Sequence, residues 1–142
     1  MSRIFKSYGF ITGKVEQLFE MDFSKELAPY NINVKQYGVL IKIDEKPNSS
    51  QKDIAKELKI DRTTMVSIVD HLEALEYLTR TKNPQDRRSY CLTITAKGKQ
   101  ILEDCWGALE QSERKIISSL SDQEARLLKD LLIKIFKNQE ES

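Results

Sequence analysis

Two short helical segments in this chain are followed by a change in the hydrophobic period from about 3.6 residues to 2. The first segment covers residues 51–58 and begins after Ser50, whose hydroxyl can cap a helix. The second runs from Asp61, another residue that favours the N-cap, to about Glu76. Only Lys-Ile separates the two segments. Two helices this short and this closely joined predict a helix-turn-helix.

The change of period indicates a β-hairpin. Residues 78–82 and 90–94 are rich in β-forming side chains and flank a predicted loop over residues 83–89, which contains Asn-Pro and Asp. Residues 78–99 also carry six basic side chains against Asp86 alone, a local charge of +5 in a chain of net charge +1. A charge run by itself is typical of a solvated surface. Directly after a helix-turn-helix, a basic hairpin predicts a winged helix that binds DNA.

Helical spacing continues on both sides of this unit. It predicts a first helix over residues 4–27 with one buried stripe, and a second helix from Asn33 to Pro47. A long helix should follow Thr95, and a capping box at Ser121 should open the last helix. Five Gly and three Pro in 142 residues also favour long elements over a turn-rich sheet. We expect one mainly α domain over residues 1–142, with six helices, a small β-hairpin and a few disordered residues at the end.

The last predicted helix has a wide apolar face and no later element to cover it. Such a face does not stay in water, which predicts dimerisation through the terminal helices. The face is formed by Leu127, Leu128, Leu131, Leu132, Ile135 and Phe136.

The sequence argues against catalysis, metal binding and membrane insertion. His71 is the one imidazole, and the sequence has no GxGxxG, GxxxxGK, GxSxG or HExxH motif. Cys91 and Cys105 lack CxxC spacing and are expected to be packing residues. No run of 18 apolar residues and no apolar signal region are present. We expect a cytoplasmic protein that is not an enzyme and has no cofactor, metal or membrane partner.

Residues 86–98, Asp-Arg-Arg-Ser-Tyr-Cys-Leu-Thr-Ile-Thr-Ala-Lys-Gly, resemble the wing signature of the MarR family of bacterial transcription factors. The similarity extends upstream through residues 51–58 and 72–80 and to the order of the helices. The resemblance implies a homodimer held by the first, fifth and sixth helices. Residues 33–98 would then be the winged helix-turn-helix DNA-binding lobe, and residues 1–28 and 99–139 the dimerisation helices.

The resemblance also assigns roles in the wing. Arg88 matches the family's arginine that contacts the minor groove, and Asp86 matches the acid that holds its guanidinium. A carboxylate two residues before an arginine can accept a bidentate hydrogen bond and fix the guanidinium plane. The alternative is an Asp that only forms the turn.

The start of the second helix of the helix-turn-helix, which we name the recognition helix, offers one cation, hydroxyls and methyl groups near the positive end of the helix dipole. Phosphates and base edges can both be contacted from such a position. The predicted DNA-binding residues are Ser50, Gln51, Arg62, Thr63, Thr64, Val66, Ser67, His71, Arg80, Asp86, Arg87 and Arg88.

Two features depart from the family pattern. Glu76 stands where the family commonly has Gly after the recognition helix, so it must either adopt a left-handed conformation or end the helix differently. Ser67 and His71 stand where many members carry Arg, so the resemblance implies no base preference.

The resemblance further implies a small aromatic or phenolic effector, bound where the dimerisation helices meet the DNA-binding lobe. Phe10, Lys14, Tyr37 and Trp106 could line such a crevice, with Lys14 facing an anionic group. The alternative is that these aromatic residues belong to the core.

The sequence thus predicts a sequence-specific transcriptional regulator, a repressor rather than an activator, that binds a pseudo-palindromic operator in double-stranded DNA as a homodimer. The alternative is an architectural protein that binds DNA without choosing sites. Basic charge concentrated on one segment, rather than spread over the surface, favours the regulator.

Overall fold

The computed structural model describes residues 1–139, and residues 140–142, where we expect disorder, lie outside the described residues. The described chain forms six α-helices and a three-stranded antiparallel sheet, which confirms the predicted mainly α winged helix-turn-helix fold. The helices are α1 (Tyr8–Leu27), α2 (Val34–Glu45), α3 (Gln51–Leu58), α4 (Arg62–Ala74), α5 (Ala96–Ile116) and α6 (Asp122–Lys137). The strands are β1 (Ser49–Ser50), β2 (Leu78–Asn83) and β3 (Asp86–Ile94). Short 3₁₀ turns at Arg3–Lys6 and Ala28–Tyr30 flank α1.

Helix starts lie where the capping residues predict them. The side chains of Ser50 and Asp61 accept hydrogen bonds from the backbone N–H groups three residues on, at 3.0 Å in both cases. Full capping boxes open α2 at Asn33 and α6 at Ser121. Each cap satisfies a backbone donor that the helix itself leaves unpaired.

Three helix boundaries differ from the prediction. The first helix begins at Tyr8 rather than at residue 4, because Ser7 caps it by accepting a hydrogen bond from the N–H of Phe10. The recognition helix, α4, ends at Ala74 rather than near Glu76, and Glu76 adopts the left-handed conformation with φ of 66°. The long helix α5, whose helical apolar spacing in the sequence extends to Leu120, ends at Ile116, and a turn leads to α6.

The prediction of a loop over residues 83–89 is wrong. Asp86 begins β3, so that only Pro84 and Gln85 join the two wing strands. Strand β1 was not predicted, because two residues show no periodicity. It pairs with β3 at Leu92 and Cys91, which ties the wing to the start of α3.

The core lies around α2, where the helix-turn-helix and the wing pack against it on one side and α1 and α5 on the other. The predicted buried stripe of the first helix is buried only near its end, at Phe23, whereas Tyr8, Val15 and Leu18 are exposed. No residue of α6 is buried. A single copy of the chain therefore leaves the apolar faces of α1 and α6 uncovered.

Gly98 shows how tightly α5 starts against the wing. A Cβ atom at Gly98 would lie 2.2 Å from the backbone oxygen of Tyr77 and 2.8 Å from Cγ1 of Ile94. We expect Gly98→Ala to lower the free energy of unfolding by roughly 1–3 kcal/mol, measured by urea denaturation, because overpacking forces the backbone to shift. Gly107→Ala in the same helix is the control, since nothing lies within 4 Å of its added Cβ. Unchanged stability of Gly98→Ala would contradict this close approach.

Candidate nucleic-acid interface

An open cleft of about 1020 Å³ lies between α3, α4 and the wing. Six basic side chains line it against two acidic ones, which gives the cleft a net positive charge. Such a surface attracts polyanions before any specific contact forms. The basic residues are Lys52, Lys56, Lys59, Arg62, Arg80 and Arg88, and the acidic ones are Asp61 and Asp86.

The recognition helix presents part of its predicted set to solvent. Arg62, Thr63, Val66 and Ser67 are exposed on α4, and Arg62 and Val66 line the cleft. The hydroxyl of Thr64 instead donates to the Asp61 carboxylate at 2.6 Å. Hydrogen bonds from the hydroxyl and N–H of that residue lower the pKa of Asp61. The Asp61 cap therefore stays charged and fixes the start of the helix.

The wing arginines project to opposite sides of β3. Successive strand residues point to opposite faces of the sheet. Arg88 lines the cleft, whereas its neighbour Arg87 is exposed and does not line it. The side chain of Arg88 is 90% exposed. It is therefore accessible to a ligand in the cleft.

Asp86 holds Arg88 differently from the bidentate pairing that we predicted. Oδ1 of Asp86 accepts a hydrogen bond from the backbone N–H of Arg88 at 3.0 Å, and the guanidinium Nε lies 3.5 Å from the same oxygen. One long side-chain contact is not a bidentate pair, because the short i to i+2 spacing brings the carboxylate first to the backbone. This backbone hydrogen bond, reinforced by the guanidinium charge, lowers the pKa of Asp86.

Two predicted contact residues are engaged inside the protein. The ring Nε2 of His71 donates to the backbone oxygen of Asn31 at 2.7 Å, which links α4 to the turn before α2. The guanidinium of Arg80 forms ion pairs with Asp70 and Glu73 of α4. Both side chains thus serve intramolecular contacts that their sequence positions do not indicate.

The start of α3 contributes a cap and a cleft residue. The Ser50 hydroxyl accepts the N–H of Asp53, so it serves mainly as the cap. Gln51 lines the cleft, and its buried Oε1 has no hydrogen-bond partner within residues 1–139.

Sequence reasoning missed the lysines of α3. Lys52 and Lys56 are four residues apart and line the same cleft. That spacing places two side chains on one helix face and could have identified them. Lys59, at the end of α3, lies with its ammonium 4.3 Å from the ring centre of Phe136, so it also contacts α6.

The four predicted effector residues do not share a crevice in the described chain. Tyr37 is only 2% exposed, its hydroxyl donates to the backbone oxygen of Leu102 at 3.1 Å, and its ring packs edge-on against Phe23. Burial raises the pKa of Tyr37 to about 12. Tyr37 is therefore a core residue, which is the alternative that the sequence left open for these aromatic residues.

The other three predicted effector residues are exposed, Phe10 and Lys14 on α1 and Trp106 on α5. A pocket of about 270 Å³ between α1 and the end of α5 is lined by none of the four. Its lining residues are Leu18, Met21, Asp22, Lys25 and Ile116.

Metal-ligand clusters, membrane-spanning helices and cysteines are three further features on which the described residues bear. Among residues 1–139, no group of three or more His, Cys, Asp or Glu side chains is arranged to hold a metal ion. No helix in that range is long and apolar enough to cross a membrane. Cys105 is buried, and burial raises the pKa of its thiol.

Comparison with known proteins matches this geometry. Residues 32–90 match the MarR family. The HTH-type transcriptional regulator BilQ of Clostridioides difficile (strain CD3) is 28% identical over 128 residues, which are 89% of this chain and 86% of that protein. A putative transcriptional regulatory protein for the hcr operon of Thauera aromatica is 33% identical over 106 residues, 75% of this chain and 64% of that protein.

A solved structure extends the likeness to almost the whole chain. The transcriptional repressor CouR, bound to a 23-mer DNA duplex, superposes with a TM-score of 0.85 at 28% identity and covers 95% of this chain and 96% of that one. The fold and the basic cleft together define a winged helix-turn-helix DNA-binding regulator of transcription. The match of residues 32–90 to the MarR family and the similarity to BilQ over most of the chain support the assignment of this regulator to the MarR family.

Proposed function

We propose that the protein is a sequence-specific repressor that binds a pseudo-palindromic operator as a homodimer. Residues 33–98 act as the DNA-binding lobe, and residues 1–28 and 99–139 as the dimerisation helices. The observation that carries this proposal is the basic cleft between the exposed start of α4 and Arg88 of the wing.

In this proposal α4 enters the major groove. Arg62, Thr63, Val66 and Ser67 are the exposed side chains of its first two turns, and they combine hydrogen-bonding groups with an apolar contact for a thymine methyl. The wing follows the sugar-phosphate backbone to the minor groove, where Arg88 inserts. An arginine there is attracted by the negative potential of a narrow groove.

The uncovered apolar faces of α1 and α6 support the proposed dimer. In the proposed homodimer a second copy of the chain covers these faces. Twofold symmetry then places the two copies of α4 in successive major grooves. Repression is supported by the likeness to CouR, which is described as a transcriptional repressor bound to a DNA duplex. A bound dimer would block access to the DNA that it covers.

We do not extend this function to an aromatic effector. Tyr37 lies in the core, and Phe10, Lys14 and Trp106 are surface residues of a single copy of the chain. The effector therefore remains an expectation from the family resemblance.

Footprinting on genomic DNA tests the proposed function. We expect discrete protected sites that contain an inverted repeat, with half-site centres about one helical turn or ~34 Å apart. Direct repeats, or a single half-site bound at full affinity, would contradict the twofold geometry. Uniform protection without a motif would instead identify the architectural alternative.

A further inference from the structure

One side chain, Arg80 of β2, connects the wing to the recognition helix. Its Nη2 lies 2.8 Å from Oδ1 of Asp70, and its Nε lies 3.1 Å from Oε1 of Glu73. The guanidinium carbon lies 5.1 Å from the ring centre of Tyr90 on β3. A single guanidinium therefore contacts α4 and both strands of the wing.

We name Arg80, Asp70, Glu73 and Tyr90 the Arg80 cluster, and its contacts require an arginine at the centre. Asp70 and Glu73 are three residues apart, so their carboxylates lie on one face of α4. A planar guanidinium can donate to both carboxylates from its edge while its face lies over an aromatic ring, which a lysine ammonium cannot do. The Arg80 side chain is only 25% exposed, compared with 90% for Arg88, so its contacts are partly shielded from water.

The charges also argue against a phosphate contact for Arg80. Its positive charge is shared between two carboxylates, so the cluster carries a net negative charge of one. Such a cluster does not attract a phosphate, although Arg80 lines the basic cleft. A bridging role for Arg80 inside the protein accounts both for its position in the cleft and for its pairing with two carboxylates.

The register of the sheet links Arg80 to the wing arginine. Arg80 pairs with the buried Leu92, and Tyr90 is its diagonal neighbour on β3. Arg88 is two residues before Tyr90, which places the two side chains on the same face of β3. A shift of Tyr90 relative to α4 would therefore move Arg88 as well.

We propose that Arg80 is a positioning residue, which sets the location of Arg88 relative to the recognition helix and thereby the geometry of each half-site. This inference rests on the proposed function of the wing. It assigns Arg80 to the bracing of the wing and removes it from the DNA contacts that the sequence predicts.

Hydrogen exchange without DNA tests the bracing role independently of any operator. In Arg80→Gln and in Asp70→Asn, we expect the backbone amides of residues 81–91 to exchange several-fold faster, while those of α2 keep their wild-type rates. Lys82→Gln is the control, because it removes a nearby positive charge on the same strand and leaves the cluster intact. Wild-type exchange in the wing of both cluster variants would overturn the proposal, whatever the DNA affinity.

Operator binding tests the link to Arg88. We expect Arg80→Gln and Arg88→Ala each to weaken binding about tenfold, and the double variant also to be weakened about tenfold, because a displaced Arg88 contributes little. Arg80→Lys should behave like Arg80→Gln, because its ammonium keeps the positive charge but cannot bridge both carboxylates and the ring of Tyr90. A hundredfold loss in the double variant, with a salt slope reduced by about one more per protomer than in Arg88→Ala, would instead make Arg80 a phosphate contact.

The two experiments separate the inference from the function on which it rests. If Arg88→Ala binds the operator normally, the proposed role of the wing is wrong. Hydrogen exchange would still decide whether Arg80 braces the wing. Asp70→Asn leaves Arg80 in place and tests the cluster even if Arg80→Gln does not fold.

Discussion

Leu131→Asp in α6 should convert the protein to a monomer and weaken operator binding by a factor of about 10²–10⁴, because the second half-site is no longer bound within the same complex. The apolar side chains around this position are 37–61% exposed in a single chain. A carboxylate placed among them is tolerated in water but costs several kcal/mol when a partner buries it. Sedimentation at micromolar concentration and titration of operator DNA measure the two effects. These apolar residues are Leu127, Leu128, Leu131, Leu132, Ile135 and Phe136.

Arg126→Asp is the matched control for this substitution. Arg126 is exposed and lies five residues before Leu131, which places it on the opposite, polar side of α6. We expect this variant to remain a dimer. Truncation after Ser121 should resemble Leu131→Asp and give monomeric or insoluble protein that does not bind the operator. A Leu131→Asp protein that is dimeric and binds normally would exclude α6 from the interface.

Arg88→Ala should weaken specific binding by roughly 1–3 kcal/mol and reduce the slope of log affinity against log salt by about one for each half of the dimer. The side chain is exposed in the cleft, so its removal deletes a positive charge and a placed contact without disturbing the core. Arg87→Ala is the control, because Arg87 lies outside the cleft lining. It should weaken operator and random DNA to the same extent.

Asp86→Ala distinguishes placement from attraction in the wing. Coulomb's law alone predicts tighter binding to any DNA when an acid is removed. If Asp86 holds Arg88 in place, operator affinity should fall instead, because the variant loses both the backbone hydrogen bond and the 3.5 Å guanidinium contact. Titrations of operator and random DNA at one salt concentration separate the two. Tighter operator binding by Asp86→Ala would show that Asp86 does not orient Arg88.

Short-range signals made much of the fold predictable. The caps at Asn33, Ser50, Asp61 and Ser121 act over three residues, so the sequence alone places the helix starts that they control. The change from helical to alternating periodicity likewise places the wing. Where a weaker local signal intervened, as at Ser7, the predicted boundary was several residues off.

The wing shows where local signals fail. The sequence of residues 83–89 contains good turn residues, yet Asp86 and the residues after it extend β3, because Asn83 and Asp86 pair across a two-residue connection. Strand β1 exists because Ser49 and Ser50 meet β3 more than 40 residues later in the chain. Pairing of this kind depends on the whole sheet and leaves no pattern in either segment.

The basic hairpin, the recognition helix and the apolar last helix follow from residue order, because charge and hydrophobic periodicity are properties of contiguous segments. Residue order does not determine which polar side chains remain available for DNA. His71 donates to a carbonyl 40 residues away, Tyr37 to one 65 residues away, and Arg80 meets its carboxylates across the turn that leads into the wing. These side chains were predicted to contact external ligands, and tertiary contacts engage them within the protein instead, because their partners lie on segments that only the fold brings next to them.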